Sequence, residues 1–107
     1  MPINKNILNK IHKEDCLKFL KKLPKNSVDL IVSSPPYNLG KEYEKRRALN
    51  VYLEEQTEIL TECCRVLKDT GSLFWQIGAY SENGIVIPLD IPFFQITLKS
   101  LPKNLVI

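Results

Sequence analysis

The sequence predicts an α/β domain with a mostly parallel sheet flanked by helices. A mostly apolar run that begins at Val28 is short enough to form one buried strand, and it stops abruptly at the Ser-Pro-Pro-Tyr segment of residues 34–37. Apolar residues then recur at helical spacing from Leu49 to Leu67, which predicts a long helix with one face packed on the sheet. A second short strand pattern follows over residues 72–77.

Length and composition limit the possible classes of protein. The chain has 107 residues, 44% of them hydrophobic, so it forms one domain or part of one. A net charge of +3 permits a nucleic-acid partner without requiring one. Three cysteines and one histidine give neither the paired spacing of a zinc site nor an even number for disulfides. We therefore expect no metal site and a reducing, cytoplasmic setting. A membrane-spanning helix needs about 20 apolar residues, and no apolar run in this sequence approaches that length.

The N-terminal part of the chain predicts a strand, a helix and a second strand. Residues 10–12 form the first expected strand, and a short amphipathic helix from Cys16 to Leu23 follows, with Asp15 as its N-cap. Pro24 ends this helix, and the strand at Val28 comes next. Such a unit within one sheet is parallel, with a right-handed crossover.

The Ser-Pro-Pro-Tyr segment predicts a rigid loop with free hydrogen-bond acceptors. Proline fixes φ and lacks an N–H donor, so the chain must leave the sheet there. The Ser34 hydroxyl, the Pro35 carbonyl and the Tyr37 ring then converge at the carboxyl end of a strand, where open α/β sheets hold their ligands. Two acceptors suit the two N–H groups of a planar amino group, as in adenine, cytosine or glutamine, and an aromatic ring stacks on such groups. A strand ending at a Pro-Pro turn, with Tyr37 as ordinary packing, is the alternative.

After this loop the sequence predicts a basic segment, the long helix and a further helix. A basic segment offers phosphate contacts or, alternatively, forms a solvated face. Its members are Lys41, Lys45, Arg46 and Arg47. Helical spacing places Cys63 and Cys64 in or near the core, and residues 69–71 are expected to stop the long helix. Residues 88–94 open a further helix if proline is confined to its first turn.

Three segments together resemble the amino-DNA methyltransferases. They are N-S-V-D-L at residues 26–30, S-P-P-Y-N-L-G-K-E-Y-E at 34–44 and G-S-L-F-W-Q-I-G at 71–78. Members of this family add a methyl group to N6 of adenine or N4 of cytosine, use S-adenosylmethionine, and carry a D/N/S-P-P-Y/F/W motif. The early position of the motif is similar to the beta group, in which the catalytic half precedes the cofactor half. The resemblance runs from about Lys10 to Phe94.

The resemblance implies a partial Rossmann-like methyltransferase fold, with double-stranded DNA as partner and S-adenosylmethionine as cofactor. Ser34 and the Pro35 carbonyl would hold the target amino group, Pro36 would complete the motif, and Tyr37 would stack on the flipped base. Asp15 matches the acidic residue of an I-x-x-G-D-C-L pattern that lies near the cofactor, although Glu14 stands where glycine is usual. The resemblance also implies a helix that leads to a strand near residues 103–107.

The glycines distinguish this chain from a complete family member. There are four, and no two are spaced as G-x-G, so the glycine-rich turn that holds the cofactor in this family has no counterpart. We therefore predict that residues 1–107 are the N-terminal, catalytic-loop part of a methyltransferase domain. They end before the target-recognition and glycine-rich segments, unless a second polypeptide carries the rest.

Two alternatives remain open from the sequence. The first is an inactive remnant or interaction subunit that binds a partner chain through its unfinished sheet edge. The second is a protein-glutamine or RNA methyltransferase, which uses a related N-P-P-Y loop on the same kind of planar amino group.

Overall fold

A computed structural model describes residues 2–35, 48–97 and 104–106. A 3-10 turn at Lys5–Ile7 precedes the regular elements of this part. In chain order these are α1 (Cys16–Lys22), β1 (Val28–Ser33), α2 (Leu49–Val66), β2 (Leu67–Trp75), β3 (Ala79–Glu82), β4 (Ile85–Pro88), α3 (Asp90–Thr97) and β5 (Asn104–Val106). None of the helices in these ranges is both long enough and apolar enough to cross a bilayer.

The main sheet has the order β1-β2-β5, and both of its pairings are parallel. This confirms the predicted α/β class with a mostly parallel sheet. The strand that the family resemblance implied near the end of the chain is β5, which pairs with β2. Strands β3 and β4 form a separate antiparallel hairpin inserted between β2 and α3.

The predicted strand at residues 10–12 is wrong, because those residues form no strand in the structure. Ile11 is fully exposed, and the His12 ring nitrogen Nε2 lies 2.8 Å from the Ile7 carbonyl oxygen. One apolar residue between a lysine and a histidine provides no face that a sheet could bury. The first parallel unit of the described fold is therefore β1-α2-β2 rather than a unit that includes α1.

Helix α1 begins at Cys16 as the sequence predicts and ends at Lys22, one residue before the predicted end, with Leu23 as its C-cap. The Asp15 carboxylate accepts a hydrogen bond from the Lys18 amide at 3.2 Å, which is the expected N-cap geometry. The next turn uses Asn26 in the left-handed region, with φ of 56°. Beyond it, the Ser27 amide donates to the Val66 carbonyl at 2.8 Å, so the entry to β1 is fastened to the end of α2.

Helix α2 ends at Val66, and β2 starts at the very next residue. Residues 69–71 therefore lie within a strand, and the prediction that they stop the helix is wrong. They do interrupt the strand pairing, because Val28 lies opposite Leu67 while Leu30 lies opposite Ser72, so β2 carries additional residues between these pairs. The turn-forming composition of this segment produces an irregularity inside the strand instead of a loop before it.

One hydrophobic cluster joins the helices to a single face of the main sheet. Its buried members are Tyr52, Leu60, Cys63, Leu67, Leu73, Trp75, Tyr80, Leu89 and Phe93. They come from α2, β2, the hairpin, the residue just before α3 and α3 itself, and Leu20 of α1 and Ile31 of β1 pack against them. This confirms that the long helix packs one face on the sheet. It also confirms Cys63 as a core residue and places Cys64 half-buried beside it.

The segment between β2 and β5 contains one predicted and one unpredicted element. Pro92 is the third residue of α3 and so lies within its first turn. This agrees with the expectation that a helix here tolerates proline only in its first turn. The hairpin before it was not predicted. Its strands are joined through Asn83 and Gly84, which have φ of 52° and 78°. Two left-handed residues form the tight turn that Asn-Gly favours, so this dipeptide was the available signal.

Candidate active site at the carboxyl edge of the sheet

The carboxyl ends of β1 and β2 meet at one edge of the main sheet. Ser33, the last residue of β1, lies opposite Trp75, the last residue of β2. The Gln76 amide donates a hydrogen bond to the Ser33 carbonyl at 2.9 Å, which extends the contact one residue past both strands. The chain segments that leave β1 and β2 therefore start side by side.

Ser34 and Pro35 follow β1 directly and occupy this edge. Ser34 is exposed and Pro35 is half-buried, so the serine side chain is accessible to a ligand. The structure thus confirms that the predicted loop begins where a strand ends. Pro36 and Tyr37 lie outside the described residues, and so do the basic residues Lys41, Lys45, Arg46 and Arg47.

Trp75 is a buried residue at the carboxyl end of β2. It was not identified from the sequence as part of the site. Its side chain is 4% exposed, and its ring centroid lies 6.4 Å from that of Phe93. Phe93 also meets Tyr52 in an edge-on contact with centroids 6.2 Å apart. A cluster of three aromatic side chains, Tyr52 of α2, Phe93 of α3 and Trp75 of β2, therefore packs beneath the end of β2, which lies beside the end of β1. The sequence signal was an aromatic residue at the end of an apolar strand, but only strand pairing places it beside Ser33.

Two buried polar atoms lie in the same hydrophobic layer. They are the indole nitrogen Nε1 of Trp75 and the side-chain oxygen Oε1 of Gln56, and neither has a hydrogen-bond partner in the described part of the chain. Gln56 lies on the buried face of α2 and is 5% exposed. Buried polar groups are ordinarily paired, so these two mark an incompletely satisfied region of the core.

Asp15 lies on a different element, at the start of α1. Its carboxylate is engaged by the Lys18 amide and so performs a capping role. Nearby, the Lys22 ammonium group forms an ion pair with Glu14, the residue that replaces the glycine usual in the family pattern. The capping interpretation of Asp15 is thus confirmed, and its contact with a cofactor stays a prediction.

The thiols of the described residues do not provide a nucleophile. Burial raises the pKa of Cys63 to about 12, with smaller contributions from the neighbouring Cys64, Cys16 and Glu62. Burial likewise raises the pKa of Cys64 and of Cys16. These thiols stay protonated at neutral pH, which disfavours covalent attack on a base. Within the ranges that the structure describes, no group of three His, Cys, Asp or Glu residues forms a metal site.

A cleft of about 400 Å³ lies between α2 and α3, apart from the carboxyl edge. Leu53, Pro92 and Ile96 give it apolar walls, and Asn50, Glu54, Thr57 and Gln95 supply polar groups. Of the predicted site residues that the structure describes, Asp15, Ser34 and Pro35, none lines this cleft.

Comparison with known proteins then determines the family. The family model described as DNA methylase matches residues 28–101, which is most of the chain. The chain belongs to this DNA methylase family. The match begins at the first residue of β1 and covers the Ser34-Pro35 loop, so this methylase segment contains the predicted catalytic loop, whereas Asp15 precedes it.

Curated relatives agree with this assignment. The methylase chain is 50% identical over 106 residues to the type II methyltransferase M.BglII of Bacillus subtilis, a match that covers 96% of this chain and 29% of the relative. It is 41% identical over 63 residues to the DNA adenine methyltransferase YhdJ of Escherichia coli K12, covering 56% of this chain and 21% of that protein. The chain thus spans less than a third of the length of these relatives.

A solved structure shares the fold. The PvuII DNA methyltransferase, described as cytosine-N4-specific, matches with a TM-score of 0.59 and 22% sequence identity. The match covers 84% of this methylase chain and 32% of the PvuII chain. It confirms an α/β methyltransferase fold, which the three-stranded parallel sheet represents in part.

Proposed function

We propose that this chain provides the amino-group-binding part of an S-adenosylmethionine-dependent DNA methyltransferase of the restriction-modification type. The product would be N6-methyladenine or N4-methylcytosine in double-stranded DNA. The observation that carries the proposal is the position of Ser34 and Pro35, which leave β1 beside the end of β2 at the carboxyl edge of a parallel sheet. Ligands of open α/β sheets bind at this edge.

Each residue of the loop has a proposed task in the transfer. The amino nitrogen of adenine or cytosine is a weak nucleophile because its lone pair is delocalised into the ring. The Ser34 hydroxyl and the Pro35 carbonyl accept hydrogen bonds from its two N–H groups, which favours pyramidal geometry at nitrogen and draws off positive charge as the new bond forms. Tyr37 stacks on the flipped base and fixes its orientation.

The cofactor itself would supply the methyl group, and the described residues fit only part of a cofactor pocket. Gly71 packs inside the sheet and Gly84 forms the hairpin turn, so neither leaves its backbone open to a close approach by a nucleotide. Asp15 is the residue that we propose to contact the cofactor. We propose that the rest of the pocket comes from the remainder of a methylase domain, whether on a longer chain or on a second polypeptide, in a cytoplasmic setting.

A hybrid enzyme tests this function. This chain would replace the 106 matched residues of the Bacillus subtilis relative, and transfer of labelled methyl groups from S-adenosylmethionine to duplex DNA would be measured. We expect activity from the hybrid and a strong loss of it in Ser34→Ala, which removes the hydroxyl acceptor, whereas the Pro35 acceptor belongs to the backbone and is kept in any substitution. A folded, cofactor-binding hybrid that methylates DNA equally well with serine and with alanine at this position would disprove the proposed loop chemistry.

Tyr37 provides a second test in the same hybrid. Tyr37→Ala should weaken binding of the target DNA by about 1–3 kcal/mol, the usual value for one stacking platform, and leave cofactor binding nearly unchanged. Tyr37→Phe is the matched control, since it keeps the ring and should retain most of the affinity. Joint loss of cofactor binding, DNA binding and folded structure in Tyr37→Ala would instead identify this tyrosine as a packing residue.

A further inference from the structure

The N-terminal part of the chain differs in charge from the rest of the described structure. Residues 2–25 contain seven lysines, all of them exposed, and two acidic residues, so their formal net charge is +5. The other described residues, in the ranges 26–35, 48–97 and 104–106, contain two basic and eight acidic residues, a formal net charge of −6. The modest net charge of the chain therefore combines two regions of opposite sign.

Both carboxylates of the N-terminal part are already engaged locally. Glu14 forms an ion pair with Lys22, and Asp15 accepts the Lys18 amide as the N-cap of α1. The other six lysines form no ion pair with any residue that the structure describes. A solvated surface ordinarily mixes charges of both signs, which this one does not. We call these six lysines the basic surface: Lys5, Lys10, Lys13, Lys18, Lys21 and Lys25.

Contacts of His12 fasten the segment before α1 to that helix. Its ring nitrogen Nε2 lies 2.8 Å from the Ile7 carbonyl oxygen, and its ring centroid lies 4.8 Å from that of Phe19 in α1. The Asn4 side chain accepts the Asn6 amide and so caps the 3-10 turn. The lysines of this segment are therefore carried on folded backbone, which reduces the ordering that a binding partner must impose.

The lysines of α1 share one face of the helix. Lys21 and Lys22 follow Lys18 at spacings of three and four residues, and side chains so placed are neighbours on a helix surface. Lys21 and Lys22 lie in the last turn, where the helix dipole favours positive charge, whereas Lys18 gains no such benefit. Like charges at these spacings repel each other and weaken the helix slightly. An anion that spans this face relieves the repulsion.

Charge complementarity identifies the partner of this surface as a polyanion. Duplex DNA carries one negative charge per about 1.7 Å of its axis, and a lysine ammonium group is a point charge suited to phosphate. The exposed carboxylates Glu54 and Glu58 of α2 repel such a partner and leave the basic surface to bind it. We propose that the basic surface binds the phosphate backbone of duplex DNA, without reading its sequence and separately from the Ser34-Pro35 loop. The choice of DNA rests on the proposed function, whereas the surface rests on the charges and contacts of the described residues.

The salt dependence of DNA binding tests this proposal in the 107-residue chain itself. Binding of a labelled duplex would be measured between about 50 and 200 mM salt, with circular dichroism to confirm that each variant is folded. The combined variant Lys10→Gln, Lys13→Gln and Lys18→Gln should bind more weakly, and the slope of log K against log salt should become shallower by about 1 for each lysine. Lys68→Gln is the matched control for Lys18→Gln alone. It removes the same charge from β2, where Lys68 pairs with Asp29, and should change the slope much less.

The outcomes separate this surface from the methyl-transfer function. A shallower slope in the combined variant supports the surface even if the hybrid with the Bacillus subtilis relative transfers no methyl groups. An unchanged slope would overturn the proposal even beside an active hybrid, and so would equal effects of Lys18→Gln and Lys68→Gln or a folded chain that does not bind DNA. Lysine substitutions that release the chain from phosphatidylserine vesicles but not from DNA would identify a lipid surface as the partner and would also overturn it.

Discussion

At the scale of single residues, Asp15 combines a demonstrated role with a proposed one. Its carboxylate accepts the Lys18 amide, which is one of the unpaired donors at the start of α1. The family resemblance adds a contact with the cofactor. A carboxylate at an N-cap has a second oxygen that remains available, so the two roles do not exclude each other.

Two substitutions of Asp15 separate these roles. Asp15→Ala should destabilise the isolated chain by about 1 kcal/mol in urea unfolding, because it removes the cap, whereas Asp15→Asn should be nearly neutral since asparagine caps equally well. In the hybrid enzyme, Asp15→Asn should still lower the affinity for S-adenosylmethionine in a calorimetric titration. Unchanged affinity in that cap-preserving variant would limit Asp15 to its structural role.

At the scale of elements, the pairing of β1 with β2 depends on an irregular segment. The additional residues of β2 between Leu67 and Ser72 bring Gly71 against the backbone of β1. A Cβ atom on Gly71 would lie 2.9 Å from the Asp29 carbonyl oxygen and 2.8 Å from the Leu67 side chain. The leucine can move, but the carbonyl belongs to the strand. Glycine is required here for close packing, and the register that places Ser33 beside Trp75 depends on it.

Gly71→Ala should therefore destabilise the chain by about 1–3 kcal/mol, the usual penalty for overpacking a core. The measurement is the midpoint of urea unfolding followed by circular dichroism. Thr70→Ala is the matched control, because Thr70 is an exposed neighbour in the same strand and should change stability by no more than about 0.5 kcal/mol. Equal effects of the two substitutions would show that the close approach of β1 and β2 at Gly71 is not a constraint.

At the scale of the whole molecule, the buried thiol of Cys63 links stability to pH. Folding raises its pKa from the ordinary value of 9.0 to about 12, because burial disfavours the thiolate. The folded state therefore holds this proton more tightly than the unfolded state does. The resulting contribution to stability is fully present below about pH 9 and disappears as the pH rises towards 12.

We expect urea unfolding at increasing pH to show a loss of stability above about pH 9, part of which disappears in Cys63→Ala. Other groups also titrate there, so the difference between the two proteins isolates this thiol. The variant should be less stable at pH 7, because it removes a core sulfur, and its stability should depend less on pH. Parallel curves for the two proteins would contradict a shifted Cys63 pKa.

Several features of this protein follow from local sequence alone. The Asp15 cap, the helical periodicity of α2 and the position of Pro92 in the first turn of α3 depend on neighbours within one or two turns. The exit of the chain at Ser34-Pro35 is equally local, since proline removes the donors that a strand needs. These predictions were correct because each rests on short-range geometry. The Asn83-Gly84 turn belongs to the same class, although its signal was overlooked.

Tertiary structure decided the rest. Residues 10–12 form no strand because their single apolar residue offers no face for a sheet to bury, and residues 69–71 became part of β2 because Gly71 can pack against β1. Trp75 joins the candidate site only through its pairing with Ser33, which lies far from it in sequence. The exposure of Leu30, Val32 and Phe74 likewise depends on strand order, because two right-handed crossovers in one direction place the described helices on the opposite side of the sheet. Local patterns specify which elements form, whereas long-range pairing determines what they bring together and which surface remains uncovered.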